Sequence, residues 1–442
     1  MEIRLSDHFT YAKLLRFTAP SIVMMIFTSI YGVVDGIFVS NFVGKTPFAA
    51  INLIMPFLMM FGCLGFMVGT GGSALVSKTL GEGDRDRANG LFSMLIWLSL
   101  GVGAVLAVLG IVVMRPVAVL LGAEGQMLEH CVIYGRFLML SLPAFILQNE
   151  FQSFLITAER PKLGLWVTVA AGVTNIVLDA LFVAVLDWGL VGAAAATTIS
   201  QLVGGAVPLV YFLCPNGCLL KLTRPVIDSG ALVKTCTNGS SELMTNLSMS
   251  LVNMLYNIQL MHFAGEDGVA AYGVIMYVNF IFISVFLGYS IGSAPIVGFH
   301  FGAGNTAELK NLFGKSLWIT GTLSVVLTGV AMGLAGPLAS IFVSYDVALM
   351  DMTRRAFLFY SISFLMTGVN IFGSAFFTAL NDGLVSAAIS FLRTLVFQTA
   401  AVFILPLFLE LDGVWLSIVA AEGLALCVTA FCFMRFRGKY QY

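Results

Sequence analysis

Asp35, Asn175 and Asp179 stand out because each sits where hydrocarbon would normally exclude it. Asp35 closes the stretch Pro20-Ser-Ile-Val-Met-Met-Ile-Phe-Thr-Ser-Ile-Tyr-Gly-Val-Val-Asp35, inside an apolar run from Leu14 past Phe38. A charge at the centre of a bilayer costs on the order of 3 kcal/mol or more, so an acid kept there faces a protein interior or a wet cavity. Asn175 and Asp179 are spaced i, i+4, which puts amide and carboxyl on one helical face. Two carboxyls sharing an inward cluster with the hydroxyls of Thr197 and Thr198 can hold a proton or a sodium ion and release it when the surroundings change. The structural alternative has Asp179 capping a helix end near the outer interface and Asp35 tying helices together. Further along, Glu242, Glu422 and the amides of Asn246, Asn253 and Asn257 fall in apolar surroundings, the three amides close to one helical stripe. They serve either as interhelical hydrogen bonds or as ligand contacts. Gln148, Asn149, Glu150 and Gln152 make another polar knot, with Glu150 as its acid.

The elements that must position these groups are membrane spans. The 442 residues are 59% hydrophobic and 10% charged, far below the roughly 25% charged of a soluble domain. A net charge of −1 gives no reason to expect nucleic acid. Segments long enough for ~30 Å of hydrocarbon are predicted at 17–40, 50–77, 90–114, 130–156, 164–186 and 190–213. A second set follows at 238–263, 270–298, 312–335, 354–378, 384–409 and 413–434. Arg4, Lys13, Arg16, Lys78, Arg85, Arg87, Arg160, Lys162, Lys221, Arg224, Lys234, Lys310, Arg435, Arg437 and Lys439 fall on one side, against Lys45 and Arg115 on the other. The bias places both termini in the cytoplasm. No small-residue cleavage site follows the first apolar run, so the first span is expected to stay in the mature chain.

Sliding the chain against itself by 221 residues pairs Gly81 and Gly83 with Gly302 and Gly304, Leu91-Phe92 with Leu312-Phe313, and Trp97 with Trp318. The same offset pairs Pro116 with Pro337, Ser153 with Ser374, Thr157-Ala158 with Thr378-Ala379, and Gly192 with Gly413. One constant offset marks an internal duplication. The predicted fold is therefore all-α and integral to the membrane: twelve transmembrane helices in two six-helix lobes, related by a pseudo-two-fold axis along the membrane normal. The expected divisions are an N-terminal lobe at 1–214, an interlobe linker at 215–236 and a C-terminal lobe at 237–442. The acid chemistry is not duplicated, since the mates of Asp35 and Asp179 are Tyr256 and Ala400.

Thirty-seven Phe, 21 Met and 12 Tyr supply soft, polarizable surface that suits lipophilic cations, although most of it must face lipid or neighbouring helices. Pro20 lies in the Asp35 helix, where a bend would change the volume around the acid. Cys214 and Cys218 lack the further ligands of a zinc site. Gly81-Glu-Gly-Asp84 lacks a phosphate-loop pattern and reads as a tight turn.

Pro20 with Asp35 fifteen residues later resembles a signature of the multidrug and toxic compound extrusion (MATE) transporters. So do Gly81-Glu-Gly-Asp-Arg-Asp-Arg87, Asn175-Ile-Val-Leu-Asp179 and Ser293-Ala-Pro-Ile-Val-Gly-Phe-His-Phe-Gly-Ala303. The match covers essentially the whole chain, and Glu242 resembles a feature of a MepA-like branch. The resemblance implies a secondary active multidrug exporter in a bacterial inner membrane, expelling cationic or amphiphilic compounds in exchange for protons or sodium by alternating access. It also implies that Asp35, Asn175, Asp179 and Thr197 form an N-lobe cation-coupling network, with Pro20 as the bending point. Some members use a C-lobe sodium site with acids in helices seven and ten. Here helix ten has no acid, and Glu242 is expected too near the start of helix seven to be that ligand. The expected partners are lipophilic or cationic small molecules and the bilayer, with a monomer as the working unit and no cofactor beyond the coupling ion. The runner-up is a flippase for a lipid-linked or polysaccharide precursor, which a run of basic residues inside the cleft would favour. An enzyme is not expected, since neither DDxxD nor HExxH occurs, and a channel is disfavoured by the lack of a filter-like loop.

Overall fold

In a hydrocarbon solvent a backbone must bond to itself, and a chain of long apolar runs does so as helices. The computed structural model describes residues 3–38, 42–43, 45–215, 217–343 and 346–442, with the side chains of 33, 35–38, 45, 48 and 341–343 also outside the description. The first half holds α1 (Tyr11–Phe38), α2 (Lys45–Gly81), α3 (Arg85–Leu120), α4 (Gly125–Leu140), α5 (Leu142–Thr157), α6 (Pro161–Asp179) and α7 (Gly189–Leu213). The second holds α8 (Ser229–Gly302), α9 (Thr306–Val343), α10 (Val347–Ile362), α11 (Phe364–Ala379), α12 (Gly383–Phe391), α13 (Gln398–Ile404) and α14 (Pro406–Tyr440).

Among the described residues nine helices are long and apolar enough to cross a membrane, and the bent pairs α4–α5 and α10–α11 raise this to eleven. The 74-residue α8 is two arms joined at Gly265, whose φ of 61° and ψ of −148° break the helix. Counting those arms separately reaches the twelve spans predicted. Two predicted spans are not straight: α4 and α5 meet at 55°, with a proline in the first turn of α5, and α10 and α11 meet at 46°.

Hydropathy placed the helix ends too far inside. α1 begins at Tyr11 and α8 at Ser229, so the non-helical stretch after α7 ends at Asp228 instead of running to 236. Asp228 sets that boundary by accepting the Ala231 N–H at 3.0 Å, and Asp84 caps α3 in the same way through Arg87 N at 3.0 Å. Two of these starts respect the repeat to the residue: α3 at Arg85 and α9 at Thr306 differ by 221 positions. Gly83 and Gly304, which precede them by two residues, both have positive φ, at 89° and 66°.

Both termini lie at one end of the bundle, and there the two halves touch backbone to backbone. A methyl group on Gly71 of α2 would stand 2.1 Å from the Thr235 carbonyl oxygen of α8, and one on Gly239 would stand 1.9 Å from that of Met67. A second seam pairs Gly81 with the Phe299 carbonyl and Gly302 with that of Lys78, each at 2.0 Å. Only residues without a Cβ permit such an approach. The N-terminal segment adds a strap: Leu5 N donates to Glu159 at 2.6 Å, Phe9 N donates to Glu308 at 2.9 Å, and Lys315 donates to the Phe9 carbonyl at 2.6 Å.

The chain's other end is pinned at the same place. Asp382, in the turn before α12, accepts hydrogen bonds from the Tyr440 hydroxyl and from Lys439 at 3.2 Å. Burial pushes this carboxyl up, but the two donors together outweigh burial and hold it below the usual carboxylate range. A lowered acid contributes stability that is complete above its ordinary value and is lost as pH falls through the lowered one. Asp382→Asn is expected to speed amide hydrogen exchange in the last two turns of α14 at pH 7. Acidification below pH 3 is expected to do the same to wild type while leaving the variant unchanged.

Candidate functional site

The half-to-half seam closes one end of a cavity of about 550 Å³ that separates the two halves. α1, α2, both arms of α8, α11 and α14 form most of its wall, with Arg393 and Thr394 from the link between α12 and α13. Near the seam the wall is buried at Ser290 and Thr378, whereas away from it Tyr277 and Phe280 are 48% and 45% exposed. The cavity therefore opens at the end of the bundle away from the termini.

Glu242 lines this cavity. Because α8 starts at Ser229, Glu242 sits roughly three and a half turns into its helix and not near its start, which corrects the depth read from hydropathy. Its carboxyl makes no hydrogen bond to a described residue, and Arg393 lines the same cavity. Asn246, one turn on, spends its amide on the Glu242 carbonyl at 2.8 Å, and Asn253 accepts the Tyr272 hydroxyl at 2.8 Å. Both line the cavity. Asn257 does not: it is exposed, although Tyr256 beside it in the chain is buried and lines the cavity.

Opposite Glu242 lies a buried ion pair that sequence reading passed over. Arg393 Nε donates to both Glu422 oxygens, at 2.8 and 3.1 Å. Asn370 Nδ2 donates to Glu422 Oε2 at 2.7 Å and to its carbonyl at 3.0 Å, and Thr429 donates to Asn370 Oδ1 at 3.1 Å. Arg393 belongs to a π-helical segment, Leu392–Phe397, that interrupts the span between α12 and α13; such turns recur at functional sites. The signal available beforehand was an arginine mid-span facing a glutamate one span later.

The N-terminal half contains a separate cavity of about 310 Å³, lined by Tyr31, Gln148, Asn175, Thr197, Ser200 and Gln201 among others. Asn175 is buried and its Nδ2 finds no hydrogen-bond partner among the described residues, while the Thr197 hydroxyl returns to the Ala193 carbonyl at 3.1 Å. Asp179 is fully buried as the last residue of α6, followed at once by a second π-helical segment, Ala180–Val185. Asn175, Asp179 and Thr197 therefore sit in neighbouring helices α6 and α7. The Asp35 side chain lies outside the described residues; its backbone is in α1, 24 residues from the start of that helix. Pro20 is buried within α1, which continues through it as one helix. Glu150 faces neither cavity: it is buried in the first half, accepts the Ser99 hydroxyl and packs behind Gly69.

The MatE family model matches the chain twice, over residues 20–181 and 243–404, once in each half. The chain belongs to the MatE family. Among its relatives, "Multidrug export protein MepA" of Staphylococcus saprophyticus is 24% identical over 95% of this chain and 92% of its own length. The protein of the same name from Staphylococcus aureus is 22% identical over 94% and 91%. Solved structures agree over 98% of both chains at 23% identity. They include a MATE bound to MaL6, with a TM-score of 0.93, and the outward-facing conformation of a multidrug resistance MATE family transporter, with 0.92. A third, a transporter from Pyrococcus furiosus whose binding pocket is described as having reverse polarity, gives 0.91. These likenesses establish the fold: an all-α membrane protein of two six-helix lobes that crosses the bilayer many times.

Proposed function

We propose that the chain is a secondary active exporter that expels cationic or amphiphilic compounds in exchange for protons or sodium. The observation that carries this reading is the interlobe cavity, sealed at one end by glycine seams and open at the other, lined by Glu242, whose carboxyl makes no hydrogen bond to a described residue. Alternating access needs such a one-sided chamber between two lobes. Methionine and aromatic side chains along its wall suit cations of varied shape. The names of the relatives support the same reading, and the bias of basic loops supports a cytoplasmic side for the sealed end and both termini in a bacterial inner membrane. Asp35, Asn175, Asp179 and Thr197 are assigned to the coupling ion, and Pro20 to a bend that changes their surroundings. The unit is a monomer, and the work is transport and not chemical conversion. The flippase alternative finds less support, because the one basic residue among the described residues of the wall, Arg393, is already paired.

Vesicles carrying the protein are expected to clear ethidium under an imposed proton or sodium gradient, and Asp35→Asn is expected to drop that flux to the background of empty vesicles. Whichever gradient drives the wild type identifies the ion. Undiminished flux in the variant would exclude Asp35 from coupling, and no flux in either would favour the flippase.

A further inference from the structure

We propose that Arg393 sets the net charge that the interlobe cavity accepts, so that its ligands are monocations carrying an apolar body. This rests on the cation-exporter reading. Among the described residues of the wall, Glu242, Glu422 and Arg393 are the acidic and basic side chains. Arg393 and Glu422 cancel in an ion pair whose Arg393 Nε–H is shared between both Glu422 oxygens at 2.8 and 3.1 Å, with side chains 11% and 2% exposed. That leaves the Glu242 carboxyl as the one acid without a basic partner among the described residues of the wall; ionised against a bound cation, it carries one negative charge. A single ligand cation balances it, whereas a dication would bring one positive charge in excess into a region of low dielectric, where such an imbalance is expensive.

The wall is built for a ligand beyond its charges. Tyr256, 2% exposed, and Asn279, 3% exposed, leave the hydroxyl and the Oδ1 without a hydrogen-bond partner among the described residues. Both line the cavity and are costly to bury unmatched. Phe280 and Tyr277 offer exposed rings at its mouth. An apolar or aromatic body between these rings, with its cation at Glu242, would satisfy the set.

Ethidium and propidium share one ring system and differ by a charge, so they isolate the effect. Binding is measured by fluorescence on the purified full-length protein. Wild type is expected to bind ethidium about tenfold more tightly than propidium. Arg393→Gln removes one positive charge and Asn246→Asp adds one negative charge beside Glu242 with the ion pair intact. Each is expected to shift the preference by about tenfold toward propidium. Arg393→Gln/Glu422→Gln removes a charge of each sign and is expected to keep the wild-type preference. An unchanged preference in Asn246→Asp, with ethidium still bound, overturns the proposal whether or not Arg393→Gln folds. A shift in the double variant equal to that of Arg393→Gln overturns it too, by assigning the effect to lost guanidinium contacts. Wild type binding neither dye would instead remove the exporter reading on which the proposal stands.

Discussion

Glu422→Ala is expected to lower the stability of the protein by about 3–5 kcal/mol, the cost of leaving a buried charge without its partner. The substitution strands the Arg393 guanidinium, 11% exposed, and also removes the acceptor of Asn370 at 2.7 Å. A thermal unfolding series in detergent measures the loss. Arg393→Met/Glu422→Met takes both charges out of the interior together and is expected to recover most of it, since a buried ion pair gains little over apolar groups of similar volume. A loss under about 1 kcal/mol for the single variant is what a solvated surface pair would give, and would show that water reaches this pair.

The second large effect concerns the seam between lobes. Gly239→Ala places a methyl group 1.9 Å from the Met67 carbonyl oxygen, and Gly71→Ala places one 2.1 Å from that of Thr235. In each case the obstacle is backbone, which no rotamer change can move. Overpacking of this kind costs about 1–3 kcal/mol, and more against rigid neighbours, and a penalty of about 3 kcal/mol displaces a two-state equilibrium by more than a hundredfold. Gly239→Ala is therefore expected to drive the lobes apart at the end that carries the termini. Spin labels at the exposed positions Asp86 and Lys310, one in each lobe, are expected to report a longer separation in this variant. Gly314→Ala, where a methyl group meets nothing within 4 Å, is expected to leave the distance as in wild type. An unchanged distance in Gly239→Ala would mean that the seam is not what holds this end shut.

Much of this architecture was legible in the chain. Hydropathy sums the transfer energy of successive residues, which is a local quantity, so it located the twelve spans. The offset of 221 residues disclosed the two lobes, and the chain starts α3 and α9 at positions obeying it. Helix ends were less legible, because polar residues extend α1 and α8 beyond their apolar cores until a cap such as Asp228 stops them. That difference moved Glu242 from a helix start to the wall of the cavity.

What the sequence by itself determined was the number, order and duplication of the spans, together with the acids scarce enough to matter. Only the tertiary structure decided which of those acids meet a cavity. Glu150 and Glu242 are both glutamates in apolar helices, yet the first is sealed against Ser99 and Gly69 while the second faces the chamber beside Arg393. The rotation and height of one helix against another, set by close contacts such as Gly71 on Thr235, make that choice. The energy that fixes them belongs to pairs of residues far apart in the chain, which no reading along a single helix contains.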